Sequence, residues 1–200
     1  GTGVKTVKNG TTTVTSPVSG LSAGTYTFTV TDANGCSTTE TVTINGAPSQ
    51  IVLSLTPAQI LCNGSTGSIS FTTSGGTGAI TVKNGTTAVT SPVIGLTAGT
   101  YTFTATDANG CTRTSTAVIS VAPSAVALTL TPTQPLCANQ TGIVTFTVGG
   151  GTGAITVKND TTIVTSPVTG LAGGIYTFTA TDANGCTKTQ TVTINAAPSQ

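Results

Sequence analysis

The chain has 200 residues and almost no net charge, with 6 Lys and Arg against 5 Asp and Glu, for a balance of +1. So even a balance excludes the basic footprint of a nucleic-acid binder, and no apolar run approaches membrane-spanning length. His, Met and Trp are absent, which removes the commonest general base and any His-ligated zinc site.

The chain repeats itself. Cys36, Cys111 and Cys186 are each 75 residues apart, as are Asp32, Asp107 and Asp182. Between 76–125 and 151–200 about three-quarters of positions are identical, which marks duplication of a whole unit rather than a short solenoid coil. The expected division is a partial repeat over 1–50, then complete repeats over 51–125 and 126–200. The partial repeat matches the last two-thirds of a unit and reads as a window cut from a longer array. A unit of this size can bury a small sandwich core with little margin.

Within 51–125, Ile51, Leu53 and Leu55 alternate with polar residues as a first strand, expected to stop at Pro57. A bend follows, expected to bury Leu61 and present Cys62. Ile69 and Phe71 mark a second strand, and Gly75-Gly76-Thr77-Gly78 turns it into a third carrying Ile80 and Val82. Lys83-Asn84-Gly85 reads as an Asn-Gly hairpin turn, with Val89 on the return. Lys5 takes the place of Ile80 at a position expected to face inward, and Asp160 that of Gly85. After Pro92 come Val93 and Leu96, then a strand in which Tyr101, Phe103 and Ala105 face one way and threonines the other. Asp107-Ala108-Asn109-Gly110 supplies turn chemistry, and the last strand carries Ala117, Ile119 and Val121. Ala122-Pro123-Ser124 is a joint too short for a flexible linker. About a quarter of the residues are Thr, which favours strands and their wet faces.

About seven short strands per unit, regular turns and no helical period predict an all-β fold of tandem immunoglobulin-like sandwiches. Tyr26, Tyr101 and Tyr176 open the penultimate strand just after a Gly turn, the position of a tyrosine corner. Asp32, Asp107 and Asp182, with Gly35, Gly110 and Gly185, are expected to be structural turn residues.

The cysteines follow the repeat. An internal bridge in each unit, Cys62–Cys111 and Cys137–Cys186, is favoured, with the partner of Cys36 outside the window. The alternative joins the bend of one unit to the hairpin of the next, as Cys62–Cys186, because in such a sandwich the two cysteines tend to lie at opposite ends. Either pattern fits an oxidising, extracellular setting.

Candidate sites are few. Asp107-Ala108-Asn109-Gly110 looks like the start of a calcium loop, but each unit offers little beyond that one carboxylate, and the turn reading is preferred. An isopeptide cross-link from Lys83 would need a buried lysine, and Lys83 sits at a turn. Asn63, Asn84 and Asn139 fit the N-glycosylation pattern, which a Thr-rich chain also meets by chance, and Asp160-Thr161-Thr162 looks like a bacterial O-glycosylation motif. The threonine rows lack the close, flat spacing of an ice binder. No carboxylate pair, nucleophile elbow or phosphate loop recurs, so neither catalytic residues nor cofactor or metal sites are expected.

The cysteine, the Gly-Gly turn and the block Leu96, Gly99, Tyr101, Asp107, Asn109, Gly110, Cys111, with counterparts Cys137, Leu171, Tyr176, Asp182 and Cys186, resemble the repeats of the SprB-type gliding-motility adhesins of Bacteroidota. They are also similar to the wider PKD and immunoglobulin-like sandwich families. One departure is Ala79-Ile80-Thr81-Val82-Lys83, where the resemblance would place an aromatic-rich strand ending in Trp. The resemblance implies a giant secreted cell-surface or filament protein exported by the type IX pathway, without a catalytic site. The expected role is a structural extracellular fibre or adhesin stalk that self-associates, with a glycan- or surface-binding module as the alternative. Aromatic residues on the loops would favour that alternative, and there are none.

Overall fold

The computed structural model describes residues 1–199, and among them there are strands and turns but no helix. It follows that no helix is long and apolar enough to cross a membrane.

Two sandwiches are closed. In the first, β5 (Val52–Ala58), β6 (Gly67–Ser74) and β9 (Val93–Leu96) form a sheet in the order β5-β6-β9. Facing it are β7 (Thr81–Asn84), β8 (Thr87–Ala88), β10 (Gly99–Thr106) and β11 (Thr112–Ile119), in the order β11-β10-β7-β8. All pairs are antiparallel, and the chain changes sheet between β6 and β7, β8 and β9, and β9 and β10. This is the three-against-four arrangement of an immunoglobulin-like sandwich. Strands β12 (Ala127–Thr133), β13 (Gly142–Gly149), β14 (Thr156–Asn159), β15 (Thr162–Val164), β16 (Val168–Leu171), β17 (Gly174–Thr181) and β18 (Thr187–Ile194) repeat the pattern as β12-β13-β16 and β15-β14-β17-β18.

Each sandwich closes on its own core. Ile51, Leu53, Ile69, Val82, Phe103, Ala105 and Ile119 are buried in the first, and Val126, Leu128, Val144, Val157, Phe178, Ala180 and Ile194 in the second. Phe103 and Phe178 have no exposed surface and meet Phe71 and Phe146 in tilted pairs, with ring centroids 5.9 and 6.2 Å apart. Gly67 and Gly142 admit this packing, because a Cβ on either would run into Ile119 or Ile194.

The first fifty residues differ. Strands β1 (Thr6–Asn9), β2 (Thr12–Thr13), β3 (Gly24–Thr31) and β4 (Ser37–Ile44) form one sheet, β2-β1-β3-β4, with no second sheet over it. Phe28 and Ile44, in register with Phe103 and Ile119, are accordingly only half-buried.

Several local expectations are corrected. Strand β5 runs through Pro57, which pairs with Ile69, because β5 is an edge strand and one face of it needs no donor. At the bend, Ile60 is buried and Leu61 is 55% exposed. Val121 lies beyond the end of β11 and is 80% exposed. Ile80 precedes its strand and is half-buried, and Lys5 at the matching place is exposed. In the hairpin, Asn84 pairs with Thr87, so the two turn residues are Gly85 and Thr86. Gly85 has φ 58° and Asp160 takes nearly the same angle, 51°.

Candidate functional site

The structure concentrates its specific chemistry at the joint between the two closed sandwiches. Four pieces of chain meet there: the bend Leu61-Cys62-Asn63, the joint around Ser124 and Ala125, the turn at Gly150-Gly151, and the Asp182–Cys186 hairpin. The bend, the joint and the hairpin line a cavity of about 370 Å³.

The hairpin is built around a carboxylate. Asp182 is only 5% exposed, and its Oδ1 accepts N–H bonds from Asn184 at 3.0 Å and Cys186 at 2.8 Å, while Oδ2 accepts from Thr152 at 2.7 Å. Burial raises the pKa of this carboxyl, but the N–H groups of Thr152, Cys186, Asn184 and Gly185 outweigh it and hold the group below its usual range. Asp107 repeats the arrangement with Thr77, Asn109 and Cys111, at 2.8, 3.0 and 2.8 Å. Its pKa is lowered, the Thr77 N–H contributing most, against the opposing effect of burial. Asp32 accepts from Thr2, Asn34 and Cys36 and is lowered likewise, first by Thr2. Gly35, Gly110 and Gly185 close the three turns at φ 85°, 81° and 83°. With both carboxylate oxygens engaged by backbone donors, the turn resembles a structural knot more than a cation loop. No group of His, Cys, Asp or Glu suited to a metal occurs among the described residues.

The Gly-Gly turns receive the joint. Gly151 N donates to Ser124 O at 2.9 Å, and Gly76 N to Ser49 O at 2.8 Å. A Cβ on Gly150 or Gly75 would strike the carbonyl oxygen of Ala125 or Gln50, and both glycines sit at positive φ, so no other residue fits the turn and the arriving chain together.

The disulfide crosses this joint. Cys62 bonds Cys186, with their Cα atoms 5.5 Å apart, and Asn184 Nδ2 donates to Leu61 O at 3.2 Å beside it. The bridges Cys62–Cys111 and Cys137–Cys186 are therefore not formed; Cys36, Cys111 and Cys137 are free and exposed. The reason is polarity within a sandwich. The bend lies where β11 ends, held there by Gln59, whose side chain accepts from Ser120 N at 2.7 Å and donates to Val118 O at 3.0 Å. Cys111 lies where β11 begins. The strand between spans roughly 25 Å at the usual rise per residue, against the roughly 7 Å limit on Cα separation in a disulfide.

The three tyrosines occupy matching places. Each hydroxyl donates to the carbonyl four residues upstream: Tyr26 to Ser22 at 2.8 Å, Tyr101 to Thr97 at 2.9 Å and Tyr176 to Ala172 at 3.0 Å. Lys83 is exposed, as are Asn63 and Asn139, while Asn84 is half-buried. Gln59 and its counterpart Gln134, which grips Thr193 O and Asn195 N in the same way, escaped sequence reasoning. The available signal was a Gln two residues after Pro57 and again after Pro132.

No family model matches the chain, and no curated protein matches it. Among solved structures it is similar to extracellular domains 3–5 of Drosophila OTK, with 14% identity over 88% of this chain and 72% of that one, at a TM-score of 0.41. It is also similar to the fibronectin(III)-like modules of Clostridium thermocellum CbhA, at 16% identity over 73% and 94%, with a TM-score of 0.36. Cadherin domains 1–4 of protocadherin gamma B7 share 13% identity over 88% and 57%, at 0.33. At such scores the assignment stands on the strand order itself: the chain is an all-β protein of immunoglobulin-like sandwiches in series.

Proposed function

We propose that this chain is a stretch of an extracellular structural protein, a fibre or adhesin stalk of tandem sandwiches that performs no catalysis. The observation that carries this is the Cys62–Cys186 bond, which spans a joint rather than a core. A bridge inside a fold stabilises that fold, whereas one between neighbours restrains how they move under load. The glycine-seated joint acts in the same direction, since it holds the connecting chain by backbone bonds on the receiving sandwich. The cystine fits an oxidising compartment.

On this reading the functional units are 1–50, 51–125 and 126–200, and the repeat is of the SprB type. Each unit would add roughly 35–40 Å to the axis, from strands of six to eight residues and their loops. The Thr-rich faces and edge strands are the surfaces for homotypic association. Cryo-electron microscopy of native, unreduced material tests the proposal. A filament of fixed axial rise with packed chains is expected, and flexible threads of independent beads would contradict it.

A further inference from the structure

An asparagine followed by glycine carries its own hydrolytic chemistry, because no side chain shields its amide carbonyl from the next backbone nitrogen. The chain has seven such pairs, at Asn9, Asn34, Asn45, Asn63, Asn84, Asn109 and Asn184. Ring closure needs the glycine nitrogen, freed of its proton, to reach the asparagine Cγ. An N–H already given to an acceptor must first break that bond.

Five of the seven are held in this way. Gly35, Gly110 and Gly185 donate to the carbonyls of Asp32, Asp107 and Asp182 at 3.0, 3.1 and 3.1 Å. Asn34, Asn109 and Asn184 are pinned further by their own N–H bonds to the aspartate Oδ1 at 3.0 Å. Gly10 and Gly85 donate to Thr27 O and Thr102 O at 3.4 and 3.1 Å, and Asn9 and Asn84 are half-buried. Among the described residues, Gly46 N and Gly64 N meet no acceptor, and Asn45 and Asn63 before them are exposed. Both open pairs lie at joints. Asn45-Gly46 follows β4 and leads toward the first closed sandwich, and Asn63-Gly64 lies in the bend beside Cys62.

We propose that Asn45 and Asn63 are the sites of spontaneous deamidation in this chain, so that the joints, and not the hairpins, gain negative charge as the protein ages. The deprotonated glycine nitrogen attacks Cγ and a C–N bond forms, while the side-chain nitrogen takes up a proton and leaves as ammonia. One water then opens the five-membered imide, at its side-chain carbonyl to give aspartate or at its main-chain carbonyl to give isoaspartate. One water enters, one ammonia leaves, and no oxidant or reductant takes part. At Asn63 either product sets a carboxylate in the cavity that this residue lines together with Lys188. Isoaspartate there also adds a methylene to the main chain one residue from the joint disulfide.

The test is incubation of the oxidised full chain in mildly alkaline buffer, with a proteolytic digest read at intervals by mass spectrometry. The same chain, reduced and unfolded in denaturant, is followed beside it and is expected to convert all seven pairs at similar rates. In the folded chain Asn45 and Asn63 are expected to convert first, and the five held pairs to lag by roughly five- to tenfold, the factor set by one net hydrogen bond. Asn195 takes the place of Asn45 but precedes Ala196, and it is expected to stay unconverted although it is exposed. Hairpin asparagines that convert as fast as Asn63 in the folded chain would overturn the proposal, as would Asn45 and Asn63 lagging with the rest. A spread of rates that persists unchanged in denaturant would overturn it too, because the difference would then lie in local sequence and not in the bonds of the fold.

Discussion

The sheet of residues 6–44 and the sandwiches that follow it have nearly the same sequence in two different settings. In the sandwiches a second sheet covers Phe103 and Phe178 completely; in the first sheet Phe28 stays half-buried with the same neighbours in sequence. The Asp turn behaves differently. Asp32, Asp107 and Asp182 keep the same backbone donors whether or not a second sheet is present. The comparison teaches that the hairpin needs only its own five residues and one donor from the turn thirty residues upstream, all within one sheet, while the core is a property of two sheets together. The joint depends on both, since it needs a local hairpin from one sandwich and a bend positioned by the core of its neighbour.

The sharpest contrast is between cysteines. Cys62→Ser opens a loop with a sequence separation of 124 residues. In the chain-entropy model that costs up to about 5 kcal/mol, measurable by denaturant unfolding. Cys111→Ser, at a free thiol, is expected to leave the curve unchanged. Next come the aromatic cores. Phe178→Ala and Phe103→Ala are each expected to cost about 3–5 kcal/mol, and Phe28→Ala less than half of that, because its ring is not enclosed.

The strand faces were legible because a buried-and-wet alternation is a local pattern, as in Tyr101, Phe103 and Ala105. The bend was misread because hydrophobicity alone does not distinguish Ile60 from Leu61; which of them turns inward depends on the path of the chain. Pro57 looked like a stop because edge position is not visible in a strand's own residues. The sequence admits two disulfide patterns, and the one it disfavours, Cys62–Cys186, is formed. Its choice depends on which pole of the sandwich each cysteine occupies, and that is set by the length of β11 and by the bonds of Gln59 to Val118 and Ser120, contacts some sixty residues apart in sequence.

The carboxylates give a smaller contrast. The folded pKa of Asp182 is depressed, so its contribution to stability is present above the usual carboxylate pKa and is lost as pH falls through the depressed value. Asp182→Asn should flatten this acid limb of a thermal-melting series, and Asp32→Asn should do so less, since no sandwich core lies beneath that turn. The smallest effect is a gain. Asp160 holds φ 51° where Gly85 holds the same corner, and Asp160→Gly is expected to stabilise by up to about 1 kcal/mol in the same unfolding assay.

The most direct test of the joint is a non-reducing peptide map of the untreated monomer. A peptide linking Cys62 to Cys186, with Cys111 recovered as a free thiol, is the predicted result. A peptide linking Cys62 to Cys111 would place the bridge inside one sandwich and contradict the account.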